Sequence, residues 1–435
     1  MREAARALGR PLIHPRLAVA FGQPGQPPRP GVPLIDRPGH NMFGVPRVSC
    51  RLCGECNIGC NYGSKHTMDL TVLSRAVLAG AELRPQCEVR EFRPLAAGRG
   101  YRVTYVEHRP ELEGTPYSRH DLPDRMLTAR YLILCAGTFG STFLLLRMRK
   151  QYGEYFAGLS PTLGTRFSGN GDLLTVVART RRRGADGTLQ PRTISGSFGP
   201  VITSAMRTDD ALDLAAVAGP LDLPGGEDAV GDRGFYTEDA GYPPLLAWLA
   251  ETAPTASRWG RLFRLGWRYL LRRFGLDTGA RLGAALAEFI GSADFSDTSL
   301  PLLHMGRDVS DGVMSLEGQS HLEVSYDPDT SRAYIERVRA TSQRMAEVLG
   351  GTHLDNPLWL LRRLITVHPI GGVPMGRTPA EGAVDPYGRV FGCPDLYVID
   401  GAILPGPVGP NPALTIAAIA DRCALQLLDD HRRQR

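Results

Sequence analysis

The stretch Tyr131-Leu-Ile-Leu-Cys-Ala-Gly-Thr-Phe-Gly-Ser-Thr, running on into apolar Phe143–Met148, limits the fold of this chain more than any other. Its first residues are apolar without alternation, which predicts a strand covered on both faces, as parallel sheets require. Strand, glycine turn and helix then follow in the order that aims backbone N–H groups at a phosphate or a flat ligand. A Gly-x-x-Gly alone specifies little. Added weight comes from the far end of the chain, where Leu396-Tyr-Val-Ile-Asp-Gly closes a second apolar strand on Asp400 and Asn411-Pro412 opens a last helix to about Asp430.

Between these pieces the pattern changes. Cys87–Phe92 and Tyr101–Glu107 alternate and predict half-exposed strands. Thr67–Ala79 has helical spacing and stops at Gly80, and 327–349 predicts a long helix with an acidic start at Asp327 and Asp329. Residues 11–48 are rich in proline and glycine and predict loop. From about Thr165 to Gly312, glycines, prolines and acidic loops alternate with expected helices, as in a separate substrate or cap domain.

The chain has 435 residues, enough for two domains or one large discontinuous domain. A net charge of +5, without interleaved aromatic and basic residues, gives no reason to expect a nucleic-acid partner. No apolar run approaches the ~18 residues of a membrane span, and Met-Arg-Glu-Ala-Ala-Arg-Ala-Leu-Gly-Arg lacks the apolar core of a signal peptide. A cytoplasmic location is therefore expected. Residues 258–274 put Arg258, Arg261, Arg264, Arg268 and Arg272 on one helical face and Trp259, Phe263, Trp267, Leu270 and Phe274 on the other. Both a surface helix and an in-plane contact with a membrane fit that pattern.

Chemistry concentrates in four places. His368, in Val-His-Pro-Ile-Gly-Gly, can accept an alcohol proton near neutral pH, or simply cap a turn. Gly371 and Gly372 would let a ring system approach the backbone. Asn411-Pro412 reads as the cap and first residue of a helix whose positive end could face an anionic flavin, with Asn411 either capping or orienting a hydroxyl. Asp400 can hold a ribityl hydroxyl or form a turn. Finally, Cys50-x2-Cys53-x2-Cys56-x3-Cys60 has the spacing of an iron–sulfur half-site, with Asn61 where proline usually follows. Cys87 and Cys135 read as small apolar residues.

Taken together, Gly54-Glu-Cys-Asn-Ile-Gly-Cys-Asn-Tyr-Gly-Ser-Lys, the 131–142 stretch and the 365–423 segment resemble the glucose–methanol–choline (GMC) flavin oxidoreductases, in particular the bacterial cholesterol-oxidase branch with non-covalent FAD. The resemblance runs from about Cys50 to Cys423. It implies an α/β fold in which a Rossmann-type FAD-binding domain (66–165 and 385–435) interleaves with a sheet-plus-helix substrate domain (1–65 and 166–384). It implies FAD as cofactor and hydride transfer from the CH–OH group of an apolar alcohol, a sterol or steroid. His368 and Asn411 would face the substrate hydroxyl. Asp400, Gly401, Pro412 and Ala413 would contact the flavin and ribityl chain, Val89 the adenine, and Ala136 and Gly137 the nucleotide. Asn170 and Gly171, within Gly169-Asn-Gly, would line the other side of the flavin. The resemblance implies no metal site.

Two departures from the family pattern stand out. Family members open with strand–Gly-x-Gly-x-x-Gly–helix, and that unit is absent here, so the FAD-binding fold is expected to be incomplete, with a partner half missing and apolar edges exposed. The buried glutamate of cholesterol oxidases has no clear counterpart; Asp294 and Asp297 are the nearest candidates. Two other readings stay open at this level: an iron–sulfur electron-transfer protein built on the four cysteines, and an inactive truncated remnant.

Overall fold

The computed structural model describes residues 1–96, 99–112, 121–209, 233–243, 295–318 and 320–433, together with Trp267 and Leu270. In chain order its elements begin with α1 (Arg2–Ala7), β1 (Leu12–Ile13), α2 (Val72–Leu78), β2 (Cys87–Pro94), β3 (Tyr101–Glu107), β4 (Arg125–Ala129), β5 (Leu132–Leu134), α3 (Gly137–Gln151) and α4 (Gly153–Phe156). They continue with β6 (Leu173–Ala178), β7 (Arg181–Arg183), β8 (Leu189–Pro191), β9 (Ala205–Thr208), β10 (Phe235–Asp239), β11 (Leu300–Gly306), β12 (Val313–Glu317) and β13 (His321–Ser325). The last are α5 (Arg332–Val348), β14 (Thr352–Asp355), β15 (Leu396–Val398) and α6 (Ala413–Arg433).

The largest sheet is antiparallel with the order β1-β9-β10-β11-β6-β14. The described residues between 165 and 312 supply the centre of this sheet, while the stretches in which helices were expected lie outside the described residues apart from Trp267 and Leu270. Leu-Leu-Thr-Val-Val-Ala of β6 and Leu-Pro-Leu-Leu-His-Met-Gly of β11 are short apolar runs, whose length and composition suit buried strands. α5 covers one face. Its buried residues Tyr334, Ile335, Val338, Ser342, Met345 and Ala346 recur at helical spacing and form one stripe. α1 lies against α5 through Ala4 and Ala5, which are buried. The helix expected from 327 begins as an α-helix only at Arg332, because Asp327 caps a 3-10 turn that starts at Pro328.

The other layer holds the 131–148 stretch. β5 pairs in parallel with β15, Leu132 opposite Leu396 and Leu134 opposite Val398. β2, β3 and β4 form an antiparallel sheet beside α3. α3 buries Leu144, Leu145, Leu146 and Met148 in a core shared with Phe92, Tyr101, Phe156, Leu396 and Val398. The expected double cover of Tyr131–Cys135 is not found: Leu134 is buried, but Ile133 is 40% exposed and Cys135 is exposed. Among the described residues β15 is the sole strand paired with β5. α6 is also thinly covered, with Cys423 its one buried residue and Leu414, Leu425 and Leu428 facing outward.

The 258–274 segment lies outside the described residues apart from exposed, helical Trp267 and Leu270. Among the described residues no helix is long and apolar enough to cross a membrane.

Leu302 has no exposed surface at the centre of β11, so Leu302→Ala should cost about 2–5 kcal/mol in urea unfolding. Leu414→Ala, at a residue 84% exposed, should change stability by less than about 0.5 kcal/mol.

Candidate active site

Turn 368–372 joins the two layers. Ile370 exchanges backbone hydrogen bonds with Ser168, Gly371 N–H donates to Gly401 O and Gly372 N–H donates to Thr165 O. The pair of glycines serves a different purpose from the one expected. A Cβ on Gly371 would fall 2.0 Å from Arg166 O, and one on Gly372 would fall 2.2 Å from the Met314 methyl and 2.3 Å from Thr142 Oγ1. Protein, not a ligand ring, fills the space a side chain would take, and both residues have positive φ. The turn thereby sets His368 at the seam, half-buried.

Asp400 fastens the same seam from the end of β15. Its Oδ2 accepts from Gly137 N–H at 2.9 Å and Ser141 Oγ at 2.5 Å, and Oδ1 accepts from Ala402 N–H at 2.8 Å. Of the two readings open in sequence, the turn-forming one is therefore present. Ala136, Gly137, Asp400 and Gly401 come together here, and Thr138 Oγ1 donates to Pro369 O at 2.8 Å, which ties them to the histidine turn. Open space lies over Gly137, whose φ is +74°. Val89 sits apart on β2, 40% exposed beside an irregularity in its pairing with β3.

Asn170 and Gly171 shape the backbone. The Asn170 carboxamide is buried and wholly engaged: Oδ1 accepts from Val408 N–H (2.8 Å) and Gly409 N–H (3.1 Å), and Nδ2 donates to Pro410 O (3.1 Å). It thus clamps the loop that delivers Asn411. A Cβ on Gly171 would meet Tyr334 Oη at 2.5 Å and the Gly306 backbone at 2.8 Å.

The Asn411 carboxamide nitrogen donates to Glu238 Oε1 at 3.0 Å, whereas a cap would use the carboxamide oxygen as acceptor. Pro412 is buried, and its carbonyl accepts the Ile416 amide. The first-turn amides of Ala413, Leu414 and Thr415 have no partner within the helix, as at any helix start.

Glu238 is a candidate site residue that the sequence reading missed. Phe235 packs on Tyr334 of α5, so strand alternation turns Glu238 to the opposite face of the sheet, towards Asn411. Burial pushes its carboxyl up to about 7, against the bond from Asn411 and the nearby His368. Its Oε2 is buried without a hydrogen-bond partner. Asp297, one of the two acids expected for this role, is exposed on a 3-10 turn, and Asp294 lies outside the described residues. The signal was faint: Phe-Tyr-Thr-Glu-Asp places two adjacent acids at the end of a short strand that the sequence reading left unassigned.

Cys50, Cys53, Cys56 and Cys60 are free thiols around a cavity of about 20 Å³. Backbone amides of Tyr62, Ser64 and Lys65 hold the Cys60 thiol below its usual range although burial opposes them. Among the described residues no group of three or more His, Cys, Asp or Glu side chains is placed to hold a metal ion.

Two family models described as GMC oxidoreductase match, an N-terminal one over 45–148 and a C-terminal one over 308–420. The chain belongs to the GMC oxidoreductase family. It is 28% identical to a cholesterol oxidase of Mycobacterium tuberculosis over 417 residues, 94% of this chain and 64% of that one. It is 26% identical to a cholesterol oxidase of Acinetobacter baumannii over 396 residues, 88% of this chain and 62% of that one. The chain thus spans less than two thirds of the length of these curated relatives. A solved FAD-dependent oxidoreductase from Chaetomium thermophilum is similar at a TM-score of 0.47 and 15% identity, over 99% of this chain and 78% of that one.

The cofactor of this family is FAD. The residues present fit its flavin end, with open space over Gly137, unpaired amides at the start of α6 and an orphan carboxyl oxygen on Glu238.

The Glu238 carboxyl has a folded-state value above its ordinary 4.5. Stability owed to the neutral acid is therefore complete below about pH 4.5 and is lost as pH rises through about 7. Glu238→Gln keeps the acceptor for Asn411 without the charge. Its melting temperature relative to the parent should rise between pH 5 and pH 8, and a constant difference across that range would contradict the assignment.

Proposed function

We propose that this chain oxidises the CH–OH group of an apolar secondary alcohol, a sterol or steroid, using FAD. The observation that carries the reading is Glu238, bonded to Asn411 and within electrostatic reach of His368, with one carboxyl oxygen buried and unpartnered. A buried acceptor without a donor is costly, and a substrate O–H would satisfy it. Support for the substrate class comes from the two cholesterol oxidases similar to this chain.

Bound FAD supplies a two-electron acceptor for the hydride of the carbinol carbon. In this reading Ala136, Gly137, Asp400, Gly401, Pro412 and Ala413 hold the flavin and its ribityl chain, and Val89 lies by the adenine. The positive end of α6 favours negative charge on the ring by roughly 0.3–1 kcal/mol. Asn170 acts indirectly, through the 408–410 loop. A further strand–turn–helix unit would complete the nucleotide grip beside β5, where Ile133 is 40% exposed. We assign 66–165 with 385–435 to the cofactor and 1–65 with 166–384 to the substrate.

His368 accepts the hydroxyl proton while the carbon loses hydride. Asn411 and Glu238 orient the oxygen between them, and neutral Glu238 can also donate a hydrogen bond to it. Because hydride transfer and proton transfer leave from adjacent atoms, the geometry must place both acceptors at once.

The test mixes the purified chain with FAD and a 3β-hydroxysterol and measures bound flavin and ketone. Ketone should form, and His368→Gln should reduce turnover by about 10²–10⁴-fold. Undiminished turnover in that variant would refute the role of His368. No bound flavin and no ketone would leave an inactive remnant.

A further inference from the structure

We propose that Asp172 is the positioning residue for His368, holding its Nδ1–H so that Nε2 is the unprotonated nitrogen offered to the substrate hydroxyl. The proposal rests on the alcohol-oxidation reading for its consequence, although not for its geometry.

Asp172 ends the Gly169-Asn-Gly turn and enters β6, and its side chain is 1% exposed. Its Oδ2 accepts from Val367 N–H at 2.7 Å, His368 N–H at 3.1 Å and Thr366 Oγ1 at 3.1 Å. His368 Nδ1 lies 3.0 Å from Oδ1 and 3.1 Å from Oδ2. Oδ2 is thus the acceptor of two backbone amides and of a Thr366 hydroxyl that Gly169 O shares. The carboxylate accepts from the ring as well, so Nδ1 carries a proton, and in the neutral imidazole Nε2 then holds the lone pair.

The surroundings make this arrangement stiff. The 368–372 turn is sewn to 165–168 by backbone bonds, and the 168–172 turn is held from behind by Asp308. Asp308 accepts from Ser168 Oγ at 2.5 Å, Gly169 N–H at 3.1 Å and Tyr326 Oη at 2.7 Å. Asn170 at φ +55° and Gly171 at φ +65° turn the chain so that Asp172 meets a histidine 196 residues away. Glu238, on β10, is the other carboxyl near this imidazole, but its one hydrogen bond runs to Asn411. The two acids therefore divide the work: Asp172 fixes the ring and Glu238 faces the substrate.

With FAD bound, the flavin would supply the acceptor for the carbinol hydride, and the alcohol O–H proton would pass to Nε2 as the carbonyl forms. Nδ1–H stays on Asp172, whose charge stabilises the imidazolium. The wrong tautomer would present an N–H where a lone pair is needed.

The experiment labels histidine with ¹⁵N in the full chain, without flavin or substrate, and assigns His368 by the signal lost in His368→Gln. Wild type should show Nδ1 protonated and Nε2 bare. Asp172→Asn should shift the ring towards the Nε2–H form, since its amide can donate to Nδ1. In flavin-loaded enzyme the same variant should lower kcat by roughly 10²–10⁴-fold with KM changed only a few-fold, and Asp172→Glu should recover part of the loss. An Nε2–H tautomer in the wild type overturns the proposal whether or not the variants fold, as does an unchanged tautomer in folded Asp172→Asn. The expected tautomer in a chain that oxidises no alcohol would sink the functional reading and leave the positioning intact.

Discussion

The close crossing of turn 368–372 over residues 165–168 is the contact on which the site depends. Gly371 has no room for a Cβ against Arg166 O, and Gly372 has none against Thr142 and Met314. Backbone bonds on both sides make the crossing part of each layer: Ser168 pairs with Ile370, and Gly401 accepts from Gly371. A histidine on such a turn is placed by peptide geometry, with little left to side-chain rotamers. Catalysis that needs two acceptors in register gains from that stiffness, because a shift of about 1 Å can cost a factor near 10².

Three buried acids around this crossing are handled in three ways. Asp172 sits among amide, hydroxyl and imidazole donors, Asp308 accepts a serine, a tyrosine and an amide, and Glu238 has one donor and one bare oxygen. Burial raises the carboxyls of Asp308 and Glu238, and for Asp308 the hydrogen bonds oppose it. The first two acids brace backbone turns. The third is left incomplete, and an incomplete buried acid beside a braced histidine is the arrangement an alcohol would complete.

Much of this was legible in the sequence, and the rest was not for definite reasons. The β2 and β3 strands stood out by alternation, and His368 and Asn411 by their glycine and proline neighbours. α3 begins at Gly137, well before Phe143, because its early Gly140 and threonines hide helical character that packing on Asp400 restores. The six-stranded sheet was missed because β6 and β11 are too short for periodicity to separate strand from helix. Asp172 and Glu238 were missed because their partners lie 196 and 173 residues away. The purpose of Gly371 and Gly372 was misread for the same reason, since Arg166 and Met314 fill the space from distant parts of the chain.

Rapid mixing of the flavin-loaded chain with an apolar secondary alcohol under anaerobic conditions tests the central claim most directly. The account predicts that the visible flavin absorbance bleaches in one turnover, and more slowly when deuterium replaces the carbinol hydrogen. Flavin that binds and stays coloured in the presence of the alcohol would contradict it.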